Sequence, residues 1–324
     1  MKIRPFKQVD VFTDQPYFGN PLAVVLDGSG LDDAAMQRFA QWTNLSETTF
    51  VLPPSEPSAD YHVRIFTPGG ELPFAGHPTL GTCHAWLEAG GVPKRQDVIV
   101  QQCQVGLVNI RRDPSAGSGQ AGGQLAFAAP ALKRSAPSPV VLAQVAAALG
   151  LKAKHIIAAQ VLDNGPVWLG LLLDSADTVL QLEPDHLALK KYGLKVGVAG
   201  AHFAQAAPQL IARANREARA FSPSEHGVPA ETADFEVRAF AAPMGINEDP
   251  VTGSLNASLA QWLMAEGHAP DNYTVAQGTC LGRAGRVQLS RENAAGIAQA
   301  ASTGSGQVWV GGESVTCIDG SVTL

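Results

Sequence analysis

Residues 67–82 read Thr67-Pro-Gly-Gly-Glu-Leu-Pro-Phe-Ala-Gly-His-Pro-Thr-Leu-Gly-Thr82. A strand end runs here into a Gly/Pro-rich loop and then into a helix. Leu80, Cys83, Trp86 and Leu87 recur at helical spacing, and Gly90-Gly91 closes the run. Proline suits a first helical turn, because the N–H it lacks would find no partner there. The unpaired N–H groups of such a turn form a ready anion site. Glycine lets a ligand come close to the backbone.

The same design recurs downstream. Asn247-Glu-Asp-Pro-Val-Thr-Gly-Ser254 opens a helix carrying Leu255, Leu259, Trp262 and Leu263, closed at Gly267. The two stretches align as His77-Pro-x-x-Gly-Thr82 and Asp249-Pro-x-x-Gly-Ser254. Two such helix starts predict a duplicated fold. If the copies face each other, two sets of amides converge on one small anion.

A chain of 324 residues suits two domains better than one. The composition, 45% hydrophobic and 16% charged, is that of a globular protein. The formal net charge of −6 and the lack of a basic stripe argue against nucleic acid as a partner. The longest strongly apolar run, residues 166–173, is strand-sized, so no membrane span is expected. The first residues lack the apolar core of a signal peptide, and the expected location is cytoplasmic. The four cysteines, Cys83, Cys103, Cys280 and Cys317, form no C-x-x-C pair and read as reduced thiols. No His/Cys spacing suggests a metal site.

Along the chain, residues 7–13, 22–26, 46–52 and 61–66 carry strand patterning, and 32–43 a helix that stops at Asn44. Residues 97–102 and 106–111 read as an antiparallel pair. A Ser/Gly/Ala-rich stretch follows at 114–123. Residues 125–128 are short and apolar; strands are expected at 156–161, 167–173, 196–198, 210–214 and 235–240, with helices at 137–149 and 184–192. The tail reads as short strands parted by glycine turns at 282–285, 304–306 and 311–312. Hairpin links dominate over βαβ alternation. The expected architecture is two α+β domains of similar plan, each wrapping a sheet around a central helix. Trp86 and Trp262, at matching helix positions, read as core.

These motifs resemble the phenazine-biosynthesis PhzF-like family, related in fold to diaminopimelate epimerase. The resemblance rests on Gly19-Asn-Pro21, Asn44-Leu-Ser-Glu-Thr-Thr-Phe50, Phe74-Ala-Gly-His-Pro-Thr-Leu-Gly81, Glu248-Asp-Pro-Val-Thr-Gly-Ser254 and Gln277-Gly278, in family order across nearly the whole chain. It implies two pseudo-symmetric domains, each a barrel-like mixed sheet around a central helix, with the active site in the cleft between them. The first domain would span 1–118, completed by a tail at about 308–324, and the second 119–307. The resemblance also implies a homodimer, no metal and no organic cofactor. The family's best-understood activity is the isomerisation of dihydro-3-hydroxyanthranilate, a step toward phenazines.

The family match makes Glu47 the proton-transfer group. From spacing alone, an exposed carboxylate at a strand end is the commoner reading. His77 stands on what reads as an exposed loop tip, where it would bond substrate or relay a proton; its structural alternative is a helix cap. Asp249 matches the family's second-domain acid, yet Asp before Pro is also an ordinary helix-capping pair. Gly76, Gly253 and Ser254 would offer donors to a substrate carboxylate. Asn20 would bring a side-chain amide to the cleft edge, or simply serve the turn before Pro21. The related epimerases use one thiol from each domain, and residues 74–78 and 250–254 contain none. Together these readings predict an isomerase that moves a proton within a small carboxylate-bearing metabolite by one carboxylate. The alternatives are a two-base epimerase or racemase of an amino acid-like substrate, and a non-catalytic binding or scaffold protein on the same fold.

Overall fold

The structure is a computed structural model and describes residues 1–113, 124–202, 233–292 and 306–324. The strand expected at 210–214, the stretch 114–123 and most of the turn at 304–306 lie outside the described residues.

The first half of the chain builds β1 (Ile3–Val11), β2 (Asn20–Val25), α1 (Asp33–Thr43), β3 (Glu47–Leu52), β4 (Tyr61–Thr67), β5 (Gly70–Leu72), α2 (Gly76–Glu88), β6 (Val98–Cys103), β7 (Gly106–Asp113) and β8 (Gln124–Ala128). The second builds β9 (Lys133–Ser135), α3 (Pro139–Ala148), β10 (Ile156–Asp163), β11 (Val167–Leu173), α4 (Ala176–Leu180), α5 (His186–Tyr192), β12 (Val196–Ala201), β13 (Phe235–Ala241), β14 (Ile246–Asp249), α6 (Gly253–Ala265), β15 (Asn272–Gln277), β16 (Gly285–Glu292), β17 (Gln307–Gly312) and β18 (Ser314–Thr323).

Local chemistry sets the ends of α1. The Asp32 carboxylate accepts from Ala35 N at 2.8 Å, satisfying a first-turn donor. Asn44, at φ 55°, adopts the left-handed turn that ends the helix and aims the chain into β3. Met36, Phe39 and Ala40 bury one face of α1 against Val25, Phe50 and Phe66.

The strand pairings show the duplication directly. In the first half β1–β2 is antiparallel, β2–β3 parallel, β3–β4 antiparallel, β4–β6 parallel and β6–β7 antiparallel. In the second half β10–β11, β11–β12, β12–β13, β13–β15 and β15–β16 repeat that series in the same order. Each half adds a hairpin strand, β5 on β4 and β14 on β13. The halves join where β8 pairs antiparallel with β17. The last strand, β18, returns to pair with β1 from Ile3↔Thr323 to Val11↔Ser314.

The strands form one continuous sheet, and in each half it curls around one helix of 13 residues, α2 or α6. Residues 76–85 of α2 are all buried, as are most of α6. A helix apolar around most of its surface has this central place as its stable solution. The α+β class and the paired barrel-like halves are therefore as the sequence predicted.

Three expectations change in detail. The loop after β4 contains a short strand, β5, because Gly70 takes φ 154° and lets the chain double back. Gly311 and Gly312 lie in β17 instead of a turn; Gly311 packs flat against β8 and Gly312 against Phe12, where side chains would collide. Trp262 is core, but Trp86 is only half-buried, with its ring tilted 34° to that of Tyr61 at 5.1 Å. Among the described residues no helix is long and apolar enough to cross a membrane.

Candidate active site

The two central helices begin at the joint between the halves, and their first residues touch. A Cβ built on Gly253 would lie 2.9 Å from Gly76 Cα and 3.1 Å from His77 N. Only glycine at both positions permits this approach. It also corrects the sequence alignment. Helix start matches helix start, so Gly76 corresponds to Gly253 and His77 to Ser254, not His77 to Asp249. Two helix N-termini that meet concentrate their unpaired N–H groups and the positive ends of both dipoles.

Asp249 is not the cap of α6. It ends β14, and Thr252 holds the N-cap position. Thr252 does not cap with its side chain either: its hydroxyl donates to Asp249 Oδ2 at 2.5 Å. The other carboxylate oxygen, Oδ1, accepts from Asn20 Nδ2 at 3.1 Å. Burial pushes the Asp249 carboxyl up to about 6, opposed by these two hydrogen bonds.

Gln277 fixes this corner. Its amide nitrogen donates to Asp249 O at 3.1 Å and to Thr252 Oγ1 at 3.0 Å. Its oxygen accepts from Thr252 N at 3.1 Å and Asn256 Nδ2 at 2.8 Å. Gln277 and Asn256 are fully buried. The family motif contains Gln277, but neither it nor Thr252 was assigned a role from the sequence. Thr252 was legible, since Thr before Gly-Ser at a helix start is a better cap candidate than an Asp three residues upstream.

Asn20 does not stand at a cleft edge. It is 0% exposed at the start of β2, and its amide nitrogen reaches across the joint to Val251 O at 2.8 Å as well as to Asp249. Position within the sheet, which the turn-like Gly-Asn-Pro signal hid, puts it there.

His77 is not on an exposed tip. It occupies the first turn of α2 and is 4% exposed, because that turn packs against the other half. Burial alone holds its ring neutral, with a pKa near about 3. His77 Nε2 lies 3.4 Å from Glu47 Oε2, and both atoms are buried without a hydrogen bond in good geometry.

Glu47 opens β3 directly after the turn at Asn44. Its side chain keeps 15% of its surface, while Oε2 is wholly enclosed. Desolvation, with a smaller contribution from the Asp249 charge, raises its pKa to about 8. In the second half the equivalent strand start is Val196: Glu47 pairs with Leu22 as Val196 pairs with Leu169. The duplicated fold thus carries this acid once.

Ser254 sits beside the joint in the second half. Its hydroxyl oxygen accepts from Trp168 Nε1 at 3.3 Å, which leaves its own proton to be donated elsewhere. Asn164 Nδ2 donates to Ser254 O at 3.0 Å. Phe127 packs against Gly76 and fills the space a side chain there would need. The seven sequence-predicted residues Asn20, Glu47, His77, Gly76, Asp249, Gly253 and Ser254 therefore all come to the joint. Cys83 is buried on α2 with its thiol pushed up to about 12 by burial, and does not belong to this set. Among the described residues no group of three or more His, Cys, Asp or Glu is placed to hold a metal ion.

A duplicated α+β fold with two desolvated carboxyls, Glu47 and Asp249, beside two abutting helix starts defines the class. The family profile described as phenazine biosynthesis-like protein, PhzC-PhzF, matches residues 9–320, and the chain belongs to this family. The protein named Antisense-enhancing sequence 1 of Schizosaccharomyces pombe is 34% identical over 320 residues, covering 97% of each chain. The trans-2,3-dihydro-3-hydroxyanthranilate isomerase of Pseudomonas aeruginosa is 32% identical over 291 residues, covering 88% of this chain and 90% of that one. The crystal structure of the Bacillus anthracis phenazine biosynthesis protein of the PhzF family matches with a TM-score of 0.76 at 22% identity over 100% of both chains. That last likeness is one of fold. Kinship with proteins named isomerases places this chain among isomerases.

Proposed function

We propose that the protein moves a proton within a small, unsaturated, carboxylate-bearing metabolite of the dihydro-3-hydroxyanthranilate kind, with Glu47 as the single acid/base. The observation that carries this reading is the environment of Glu47. A carboxyl with its pKa near about 8 is poised to take and to return a proton close to neutral pH. Its equivalent in the other half is Val196, so the duplication supplies no second copy of this acid.

In this reaction one C–H bond breaks as Glu47 Oε1 or Oε2 accepts the proton. The electron pair shifts along the adjacent double bond. A new C–H bond forms at the far end as Glu47 gives the proton back. The step is redox-neutral and balances without a co-reactant. The first-turn N–H groups of Gly76, His77, Gly253 and Ser254 would hold the substrate carboxylate at the converging helix starts. Neutral His77 and ionised Asp249 would fix polar groups on the ring.

The test is turnover of trans-2,3-dihydro-3-hydroxyanthranilate and related cyclic amino and hydroxy carboxylates by the wild type and by Glu47→Gln. Loss of turnover with binding retained supports the reading. Full turnover by the variant overturns it. Activity that survives Glu47→Gln but is lost on alkylation of Cys83 would favour a two-base epimerase.

A further inference from the structure

We infer that Asn20 sets the tautomer of His77 and, through it, which oxygen of Glu47 carries the moving proton. The first step is the orientation of the Asn20 amide. Its nitrogen lies 2.8 Å from Val251 O and 3.1 Å from Asp249 Oδ1. A backbone carbonyl and an ionised carboxylate only accept, so the NH₂ end must face them and the amide cannot be flipped.

The same nitrogen lies 3.5 Å from His77 Nδ1. An amide nitrogen only donates. The two hydrogens of Asn20 Nδ2 go to Val251 O and Asp249 Oδ1, and this nitrogen has no lone pair to give, so a proton on Nδ1 would meet no acceptor in a place that water does not reach, since Asn20 is fully buried. Nδ1 is therefore bare, and the single proton of the neutral ring sits on Nε2.

Nε2 lies 3.4 Å from Glu47 Oε2, and neither atom has a hydrogen-bond partner in the unliganded protein, so Oε2 is the nearest acceptor for a hydrogen on Nε2. With the hydrogen on Nε2, a small shift of either side chain closes this contact with Oε2 as the acceptor, in both charge states of Glu47. The acid proton of Glu47 is then left to Oε1. Oε2 is enclosed while the side chain keeps 15% of its surface, which leaves Oε1 as the oxygen to meet a bound molecule. Asn20 touches no substrate on this account. It is a positioning residue in the first half that holds Asp249 of the second and aims the His77–Glu47 pair. Only the meaning of the Glu47 proton rests on the proposed function; the tautomer is a property of the unliganded protein.

The experiment is nitrogen-15 NMR of histidine-labelled protein at pH 7 without substrate, with the His77 signals assigned by their loss in His77→Asn. Wild type should show His77 as the neutral Nε2–H tautomer. Asn20→Asp places an acceptor opposite Nδ1 and should shift His77 to the Nδ1–H tautomer. Asn20→Ala removes the constraint and should give a mixture, with the other seven histidine signals unmoved, which serves as the check on folding if the aspartate variant does not fold. Wild-type His77 found as Nδ1–H or as imidazolium overturns the inference. So does an unchanged Nε2–H tautomer in Asn20→Ala. Because no turnover is measured, a wrong substrate or an inactive protein leaves this result standing.

Discussion

Gly76 and Gly253 meet backbone to backbone: a Cβ on Gly76 would come within 3.0 Å of Gly253 Cα, and one on Gly253 within 2.9 Å of Gly76 Cα. Gly253→Ala should force the two helix starts apart. Neither glycine has a positive φ, so the effect is steric, about 1–3 kcal/mol of overpacking. Denaturant unfolding would measure the loss. Weaker binding of carboxylates should accompany it, since the converging N–H groups would separate.

Glu47→Gln should abolish turnover and yet stabilise the fold. The Glu47 pKa rises from 4.5 to about 8, so its contribution to stability is full below about 4.5 and is lost as pH climbs through about 8. Glutamine mimics the protonated form at every pH. The variant should gain about 1–3 kcal/mol at pH 7, with the gain shrinking toward pH 4. Thermal melts across that range read the trend; a destabilised variant at pH 7 would contradict the burial argument.

The pH profile of kcat/KM should report the same group. Its rise should have an apparent pKa near about 8 for Glu47 acting first as base. The Asp249 charge is one cause of that elevation, so Asp249→Asn should move the limb toward acid pH. Burial is the larger cause, so the limb should stay above the ordinary glutamate range.

Gln277→Leu should cost about 2–4 kcal/mol, because it strands buried donors and acceptors on Thr252, Asn256 and Asp249. Asp249 would lose its backbone anchor, so kcat should fall further than KM rises. Equilibrium unfolding and steady-state kinetics separate the two effects.

Thiol labelling of the native protein should modify Cys280, which is exposed, and spare Cys83, which is buried with a raised pKa. Activity should survive. Inactivation in step with Cys83 modification would revive a thiol-based mechanism.

Much of this was written in local sequence. The β-branched and aromatic residues of β3 and β4, the Asp32 and Asn44 ends of α1, and the two glycine-marked helix starts follow from short-range chemistry that each segment carries alone. The burial of His77 was not legible. Gly-His-Pro has the signature of an exposed tip, and only packing against the second half encloses it. The role of Asn20 was hidden for a similar reason, since a turn-like dipeptide gives no sign that its amide crosses to residues more than two hundred positions away.

By itself, then, the sequence determined that the fold is duplicated and that thiols are missing from the two loops, while the grouping of Glu47, His77 and Asp249 came from its resemblance to a family. Periodicity and turn chemistry are local, and they repeat wherever the design repeats. Tertiary structure decided the rest. It aligned Gly76 with Gly253 instead of His77 with Asp249, turned Asp249 from a cap into an acceptor for Thr252 and Asn20, and shut Glu47 away from most of its water. Desolvation and hydrogen-bond direction depend on what surrounds an atom in space, and that is fixed only when the two halves close on each other.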